Sequence, residues 1–319
     1  NRREGDIVRV NPRTRYVDDL DAMPFPAWDL VDLGAYPAKF DRMSRTGVGR
    51  YMPVFTSRAC PFGCVYCHGV FGKGYRARSA EGVVSELRRL HDGHGVREFE
   101  IVDDCFNYDL ERAKDVFRGI IASGLSVELT FPAALRGDLL DEEFFALARR
   151  AGVVFIAFAV ETASTRLQRM LRKNLDLDKV ERSIGLARRH GIFCQGFFMI
   201  GFPTETREEI EATVDFACRS RLNAINLLMV TAFEGSELAG IAARAGKPVY
   251  GDFDQNYMSW GFSNLTDLPD ATIQRIRLQA LARFWLDPRR MLSFGRAYPH
   301  KERLPHLAGI LARRLLLRV

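Results

Sequence analysis

From residue 53 onward, short apolar runs alternate with amphipathic stretches, and this alternation constrains the fold more than any other property of the chain. The apolar runs fall at 54–58, 99–102, 126–131, 153–160, 192–200 and 224–230. Between them, 81–91, 110–122, 141–150, 177–190 and 206–219 read as helices with one buried face. A shorter helix carries Leu167, Met170 and Leu171. Ser79 is placed as an N-cap, and Gly124, Gly152 and Gly191 follow helices as stops. The run at 153–160 has no polar interruption, as a parallel strand covered on both faces requires. Strict alternation predicts an α/β fold in which a parallel sheet carries its helices outside. Six such units predict a partial (β/α)6 TIM-like barrel over residues 51–232. An irregular lead-in is expected over 1–50 and a loop-rich, helical extension over 233–319. At 47% hydrophobic and 27% charged, the chain can bury such a core. Sites in barrels of this kind gather at the C-terminal ends of the strands.

The first run leads into Cys60-Pro61-Phe62-Gly63-Cys64-Val65-Tyr66-Cys67. Pro61 and Gly63 break regular structure, so the thiols lie on a tight loop that can aim three sulfurs at one centre. Iron–sulfur clusters are usually held by four cysteines. Three would leave one iron open to a further ligand. Disulfides are disfavoured by the short spacings and by the lack of a secretory pattern. Structural zinc needs a fourth Cys or His, and His68 stands too close to Cys67 to serve. Cys105, Cys194 and Cys218 follow at no ligand spacing, and Cys105 reads as a small buried residue.

The CxxxCxxC pattern, with Tyr66 before its last cysteine, resembles the radical S-adenosylmethionine (radical SAM) superfamily. The resemblance implies a 4Fe-4S cluster on Cys60, Cys64 and Cys67, with Tyr66 beside the cofactor. S-adenosylmethionine would chelate the open iron and be cleaved by one electron to a 5′-deoxyadenosyl radical. A six-stranded partial barrel is also what this family implies. Residues 19–29 read D-L-D-x-x-P-F-P-A-W-D, which is similar to the segment preceding the radical domain in the cobalamin-binding branch. That likeness implies cobalamin as a further cofactor, bound by an upstream domain outside this chain. It also implies methyl transfer to an unactivated carbon or phosphorus. Asp92-Gly93-His94 begins a cobalamin-ligating DxHxxG pattern, but Arg97 stands where Gly is required, and His94 reads as a loop residue. Rival readings are a cobalamin-independent enzyme (a methylthiotransferase, cyclase or oxidoreductase) and a non-catalytic iron–sulfur or zinc scaffold.

Polar residues follow several strands. Asp103 and Asp104 are jointly candidates for the ammonium group of S-adenosylmethionine, with helix capping as the rival role. Glu161 ends eight apolar residues, where an unpartnered carboxylate would be costly; the resemblance implies a contact with the cofactor. Ile200 and Gly201 are expected to meet adenine through main-chain groups, since glycine permits close approach. Arg136 pairs with a carboxylate of substrate or cofactor, or makes an ordinary surface ion pair. Arg172-Lys173 reaches back to the cofactor or ends a solvated helix. Ser164 reads as a helix cap, and 204–208 as a helix start. Asn223 and Asn226 contact the nucleoside or satisfy strand-end backbone.

Charge excludes less than the motifs do. The net charge of +6 is modest, and arginines are spread along the chain, which argues against a nucleic-acid surface and for solvated helix faces. No apolar run is long enough for a membrane span and no leader pattern appears. Six cysteines point to a reducing, cytoplasmic setting. The expected partners are a small-molecule substrate and an electron donor such as flavodoxin or ferredoxin. Aromatic residues at 248–268 (Tyr250, Phe253, Tyr257, Trp260, Phe262) cover the mouth or pack beneath the barrel. Helices are expected at 270–286 and 303–318. The last, with Arg313, Arg314 and Arg318, docks on its own domain, with peripheral membrane contact the weaker alternative.

Overall fold

A computed structural model describes residues 2–4, 7–9, 16–33, 50–67, 69, 71–251, 264–307 and 309. Its centre is a wholly parallel six-stranded sheet built from β3 (Tyr51–Val54), β6 (Glu98–Ile101), β7 (Glu128–Leu135), β8 (Val153–Glu161), β9 (Phe193–Ile200) and β10 (Ala224–Met229). Spatial order follows chain order, and among the described residues β3 and β10 each pair with one neighbour only, so the sheet is an unclosed barrel. The crossovers are α1 (Ala80–His94), α2 (Leu110–Ser123), α3 (Glu142–Arg150), the pair α4 (Thr165–Met170) and α5 (Leu177–Arg189), and α6 (Arg207–Arg219). The expected partial (β/α)6 barrel is therefore present.

Local chemistry explains the boundaries. The side chains of Ser79, Asp109, Asp141, Ser164 and Asp176 each accept a backbone N–H in the first turn of the helix they precede, and Thr206 forms a reciprocal capping box with Glu209. Gly95 and Gly124 end α1 and α2 in the left-handed region, where a Cβ is unfavourable. His94 is the last residue of α1, not a loop histidine.

Strand residues alternate between two apolar layers. Ile156, Phe158, Phe198 and Ile225 face the helices in the main core. Phe155, Ala157, Phe193 and Ala224 face the barrel interior, where they meet Tyr298 and Leu307 from the C-terminal region. Phe193 stacks on Phe155 at 5.7 Å and meets the edges of Phe294 and Tyr298. Burial on both faces is why the run at 153–160 carries no polar residue.

Several elements depart from the sequence reading. The stretch 1–50 is not irregular throughout, because β1 (Arg2–Glu4) pairs antiparallel with β2 (Ile7–Arg9). The first apolar run divides: β3 joins the main sheet, whereas β4 (Ser57–Arg58) pairs antiparallel with β5 (Arg76–Ala77). Strand β7 continues four residues beyond 131 through Pro132, with a register shift against β8 that absorbs the missing donor. Helices α7 (Glu237–Arg244) and α9 (Pro288–Ala297) were not foreseen, and α8 (Asp270–Trp285) falls where expected.

Arginines do more than solvate helix faces. Arg277 on α8 donates to the Leu227 carbonyl on the sheet margin at β10, and Arg290 on α9 donates to the carbonyls of Leu222, Cys218 and Ser220. His300 bridges Glu128 and Glu302 below the barrel. Tyr250 pairs with the 232–234 segment, whereas Phe253, Tyr257, Trp260, Phe262 and the basic residues Arg313, Arg314 and Arg318 lie outside the described residues. No helix among the described residues is long and apolar enough to cross a membrane.

Candidate functional site

The β4–β5 ribbon brackets residues 59–75, so the cysteine loop is the loop of a small antiparallel ribbon at the C-terminal end of β3. It is tied down from several directions. The Val65 N–H donates to the Leu171 carbonyl and the Val65 carbonyl accepts from Leu238 N. Lys73 Nζ donates to the Phe62 carbonyl at 2.7 Å. Arg76 donates to the carbonyls of Phe71 and Val17, which fastens the lead-in to this loop. The lead-in docks further through Asp21, which accepts from Ser79 N at 2.8 Å, and through Phe25 beneath the Arg78 guanidinium. A Cβ on Gly72 would lie 3.0 Å from the Tyr16 ring, so that contact is close as well.

Cys60, Cys64 and Cys67 form no disulfide and line one cavity. Its walls carry Tyr66, Asp104, Glu161, Lys173, Lys73 and Arg136. The enclosed volume is about 190 Å³. Pockets that envelop a drug-sized ligand measure roughly 300–1,000 Å³, so such a ligand would extend beyond these walls. Backbone in the left-handed region collects here: Ala59 precedes Cys60, Ala134 and Glu161 line the cavity, and Arg172 and Asn174 flank Lys173. Strained backbone of this kind is characteristic of functional sites.

The thiols are not equivalent. The neighbouring Cys105 thiol brings the Cys60 thiol down against the pull of burial, helped by the Phe62 backbone and by Lys173 and Lys73. Burial pushes Cys67 up, as do the neighbouring thiols. Cys64 Sγ lies 3.9 Å from the Arg172 carbonyl. Glu161 is raised by burial, although Lys173 Nζ stands 3.5 Å from its Oε1. The Tyr66 hydroxyl is buried near Glu161 and Cys64, yet completes no well-formed hydrogen bond, and burial holds it well above its ordinary value.

The two aspartates separate. Asp103 is buried behind the wall, where it accepts from Thr56 N and Oγ1 (both 2.6 Å) and Ser57 Oγ (2.7 Å). Asp104 lines the cavity and accepts from Ala59 N at 3.0 Å. Ile200 faces the helix layer, and neither it nor Gly201 lines this cavity. The Gly201 N–H donates to Glu205 Oε2 at 2.6 Å and its carbonyl accepts from Leu265 N, so both main-chain groups expected to meet adenine have protein partners. Arg136 is engaged by Asp138 and the Asn174 carbonyl and lies 3.9 Å from the Phe62 ring. Asn223 serves backbone at the opposite end of the strands, accepting from Cys194 N. Sequence reasoning does not mark Lys73 or Cys105 as part of the site: Lys73 carries no local signal, and Cys105 reads as a small buried residue.

Among the described residues, no three His, Cys, Asp or Glu side chains converge as a single metal ion requires. His68 lies outside the described residues. Thiolates around a multi-iron cluster bind different irons, and three cysteines outside any disulfide, lining one cavity with an unsatisfied buried hydroxyl, fit such a group.

Residues 54–217, about half of the chain, match the Radical SAM superfamily. An uncharacterized methyltransferase of Pyrococcus horikoshii is 33% identical over 238 residues, which is 74% of this chain and 50% of that protein. Cytidylyl-2-hydroxyethylphosphonate methyltransferase of Streptomyces wedmorensis is 31% identical over 75% of this chain and 46% of its own. The chain thus spans about half the length of the curated relatives it matches. In fold, it is similar to the radical S-adenosylmethionine methyltransferase TsrM from Kitasatospora setae, solved with cobalamin and a 4Fe-4S cluster bound. The TM-score is 0.56 at 21% identity, covering 63% of this chain and 41% of that one.

Proposed function

The chain belongs to the radical SAM superfamily, and from that premise we propose that it is the radical core of a methyltransferase acting on an unactivated centre. The observation that carries the reading is the placement of Cys60, Cys64 and Cys67 on one loop, lining a cavity walled also by Asp104, Glu161 and Lys173. The three cysteines would hold a 4Fe-4S cluster with S-adenosylmethionine beside it. When bound, this pair supplies one-electron chemistry strong enough to take a hydrogen atom from an unactivated carbon.

The protein's own groups then bind and orient. Asp104 would offer a carboxylate to the cofactor's ammonium group, while Asp103 holds the Thr56–Ser57 turn that leads into the cysteine loop. Lys173 would serve the cofactor's carboxylate. Glu161 and Tyr66 offer polar contacts deep in the wall, where low dielectric strengthens each one. Cobalamin as a second cofactor rests on the likeness of the 19–29 segment, whose Asp21 and Phe25 meet Ser79 and Arg78 just beyond the cysteine ribbon. A small-molecule substrate and a flavodoxin- or ferredoxin-like donor complete the scheme. The likeness to two named methyltransferases favours methyl transfer over cyclisation or oxidation.

Anaerobic reconstitution with iron and sulfide tests the reading. A charge-transfer band near about 400 nm is expected from thiolate-bound clusters, with 5′-deoxyadenosine formed on adding S-adenosylmethionine and reductant. Cys64→Ala removes both signals. Protein that takes up zinc and no iron under these conditions refutes the proposal.

A further inference from the structure

The cysteine loop hangs from two stems, and one arginine outside the cavity grips both. Thr56 leads into β4 and Arg78 follows β5, and the Arg78 N–H donates to the Thr56 carbonyl at 3.0 Å. Arg112, in the first turn of α2, lays its guanidinium across that junction. Its Nε donates to the Arg78 carbonyl at 3.0 Å, its Nη1 to Thr56 Oγ1 at 2.9 Å and its Nη2 to the Thr56 carbonyl at 2.7 Å. The Thr56 hydroxyl in turn donates to Asp103 Oδ2 at 2.6 Å, so it joins the cation on α2 to the carboxylate that follows β6. Ser57 brings a second hydroxyl to the same oxygen at 2.7 Å. Thr56, Ser57 and Asp103 are all buried. The base of Arg112 is fixed as well, because its N–H donates to Asp109, the N-cap of α2. Thr56, Asp103 and Arg112 stand outside the lining of the cavity, so they reach the cysteines only through the backbone.

We propose that Arg112 is a positioning residue for cluster retention: with Thr56 and Asp103 it locks both stems of the ribbon and so keeps the three-cysteine loop in place against a bound iron–sulfur cluster. This rests on the radical SAM reading of that loop. The ribbon has little hold of its own, since β4 and β5 pair over two residues each, and a short two-stranded hairpin is marginal in water. Its stems therefore need an outside clamp. Only a planar fork can supply it from one side chain, because guanidinium donors point from fixed edges towards two chain segments, whereas a lysine ammonium is a point donor. Bonds from a charged donor are also stronger than neutral ones. Without the fork the stems fray, and the loop they carry loosens its grip on the metal.

The test reconstitutes wild type, Arg112→Lys and Arg290→Lys anaerobically, quantifies iron and sulfide in each, and follows the decay of the charge-transfer absorbance after excess EDTA is added. Arg290 is the matched control, since it too grips three carbonyls from a helix, at the end of the strands opposite the cavity. In Arg112→Lys the cluster should decay at least about fivefold faster than in wild type, the worth of one ordinary hydrogen bond. Arg290→Lys should decay at the wild-type rate. Thr56→Val removes only the hydroxyl that joins Arg112 to Asp103 and should repeat the faster decay, and Thr56→Ser should restore the wild-type rate. A wild-type rate in Arg112→Lys overturns the proposal. So does equal acceleration in Arg112→Lys and Arg290→Lys, which would indicate a general loss of stability. Should Arg112→Lys fail to fold, the threonine pair decides: equal decay in Thr56→Val and Thr56→Ser overturns the proposal. Wild-type protein that takes up no cluster refutes the underlying reading instead, and this proposal with it.

Discussion

Glu205 offers a quantitative test of the strand-end turn after β9. Its Oε2 accepts from the backbone N–H groups of Gly201 and Phe202, at 2.6 and 3.0 Å, while its Oε1 is buried without a partner. Burial pushes the carboxyl from an ordinary 4.5 up to about 8. Because the folded value is raised, the associated stabilisation is whole below 4.5 and drains away as pH rises through 8. One pKa unit is worth about 1.36 kcal/mol, so the full span amounts to roughly 5 kcal/mol, of which roughly 3 kcal/mol is lost by pH 7. Glu205→Gln keeps an oxygen for both N–H donors and cannot ionise. Its stability relative to wild type should be near parity around pH 4.5 and should improve steadily towards pH 8. Urea unfolding of the metal-free protein at pH 5, 6, 7 and 8 measures the gap. Parallel pH curves for the two proteins, or a glutamine variant that weakens as pH rises, would refute the argument.

Two further outcomes follow from backbone and charge. A Cβ on Gly152 (φ 96°) would lie 2.0 Å from the Val127 carbonyl oxygen, so Gly152→Ala should lose at least about 2 kcal/mol, and a urea midpoint close to wild type would contradict that placement. Burial lowers His300, but Glu128 and Glu302 more than offset it, so its value is raised. The resulting stabilisation is whole below 6.5 and fades as pH rises above it, so proteolysis around residues 298–307 should quicken between pH 6 and 8.5. His300→Gln should flatten that pH response.

How much of this was legible depended on whether a signal ran along the chain or across space. The 153–160 run and the helical periods carry their meaning locally, and each became the element expected. Pro132 reads as a terminator, yet a register shift lets β7 pass through it, a tertiary accommodation with no local signature. Asp103 and Asp104 are identical in type and adjacent. Only the course of the loop after β6 turns one towards the cavity and the other towards Thr56. Gly201 advertised close approach by a ligand, but its turn is closed by Glu205, four residues on. Lys73 and Cys105 join the site through loops that meet only in three dimensions, and the span from Cys60 to Cys105 has no periodicity to reveal it.

The arginine clamps and the aromatic floor also determine how much polypeptide must travel together. Trimming the protein to the span that matches its superfamily would delete β10, Arg277 and Tyr298 in one cut. Phe155 and Phe193 would then be wetted, and β9 would become a raw border of unbonded main chain, inviting strand addition from a second molecule. The smallest piece able to stand alone is thus larger than the piece by which its kinship is recognised.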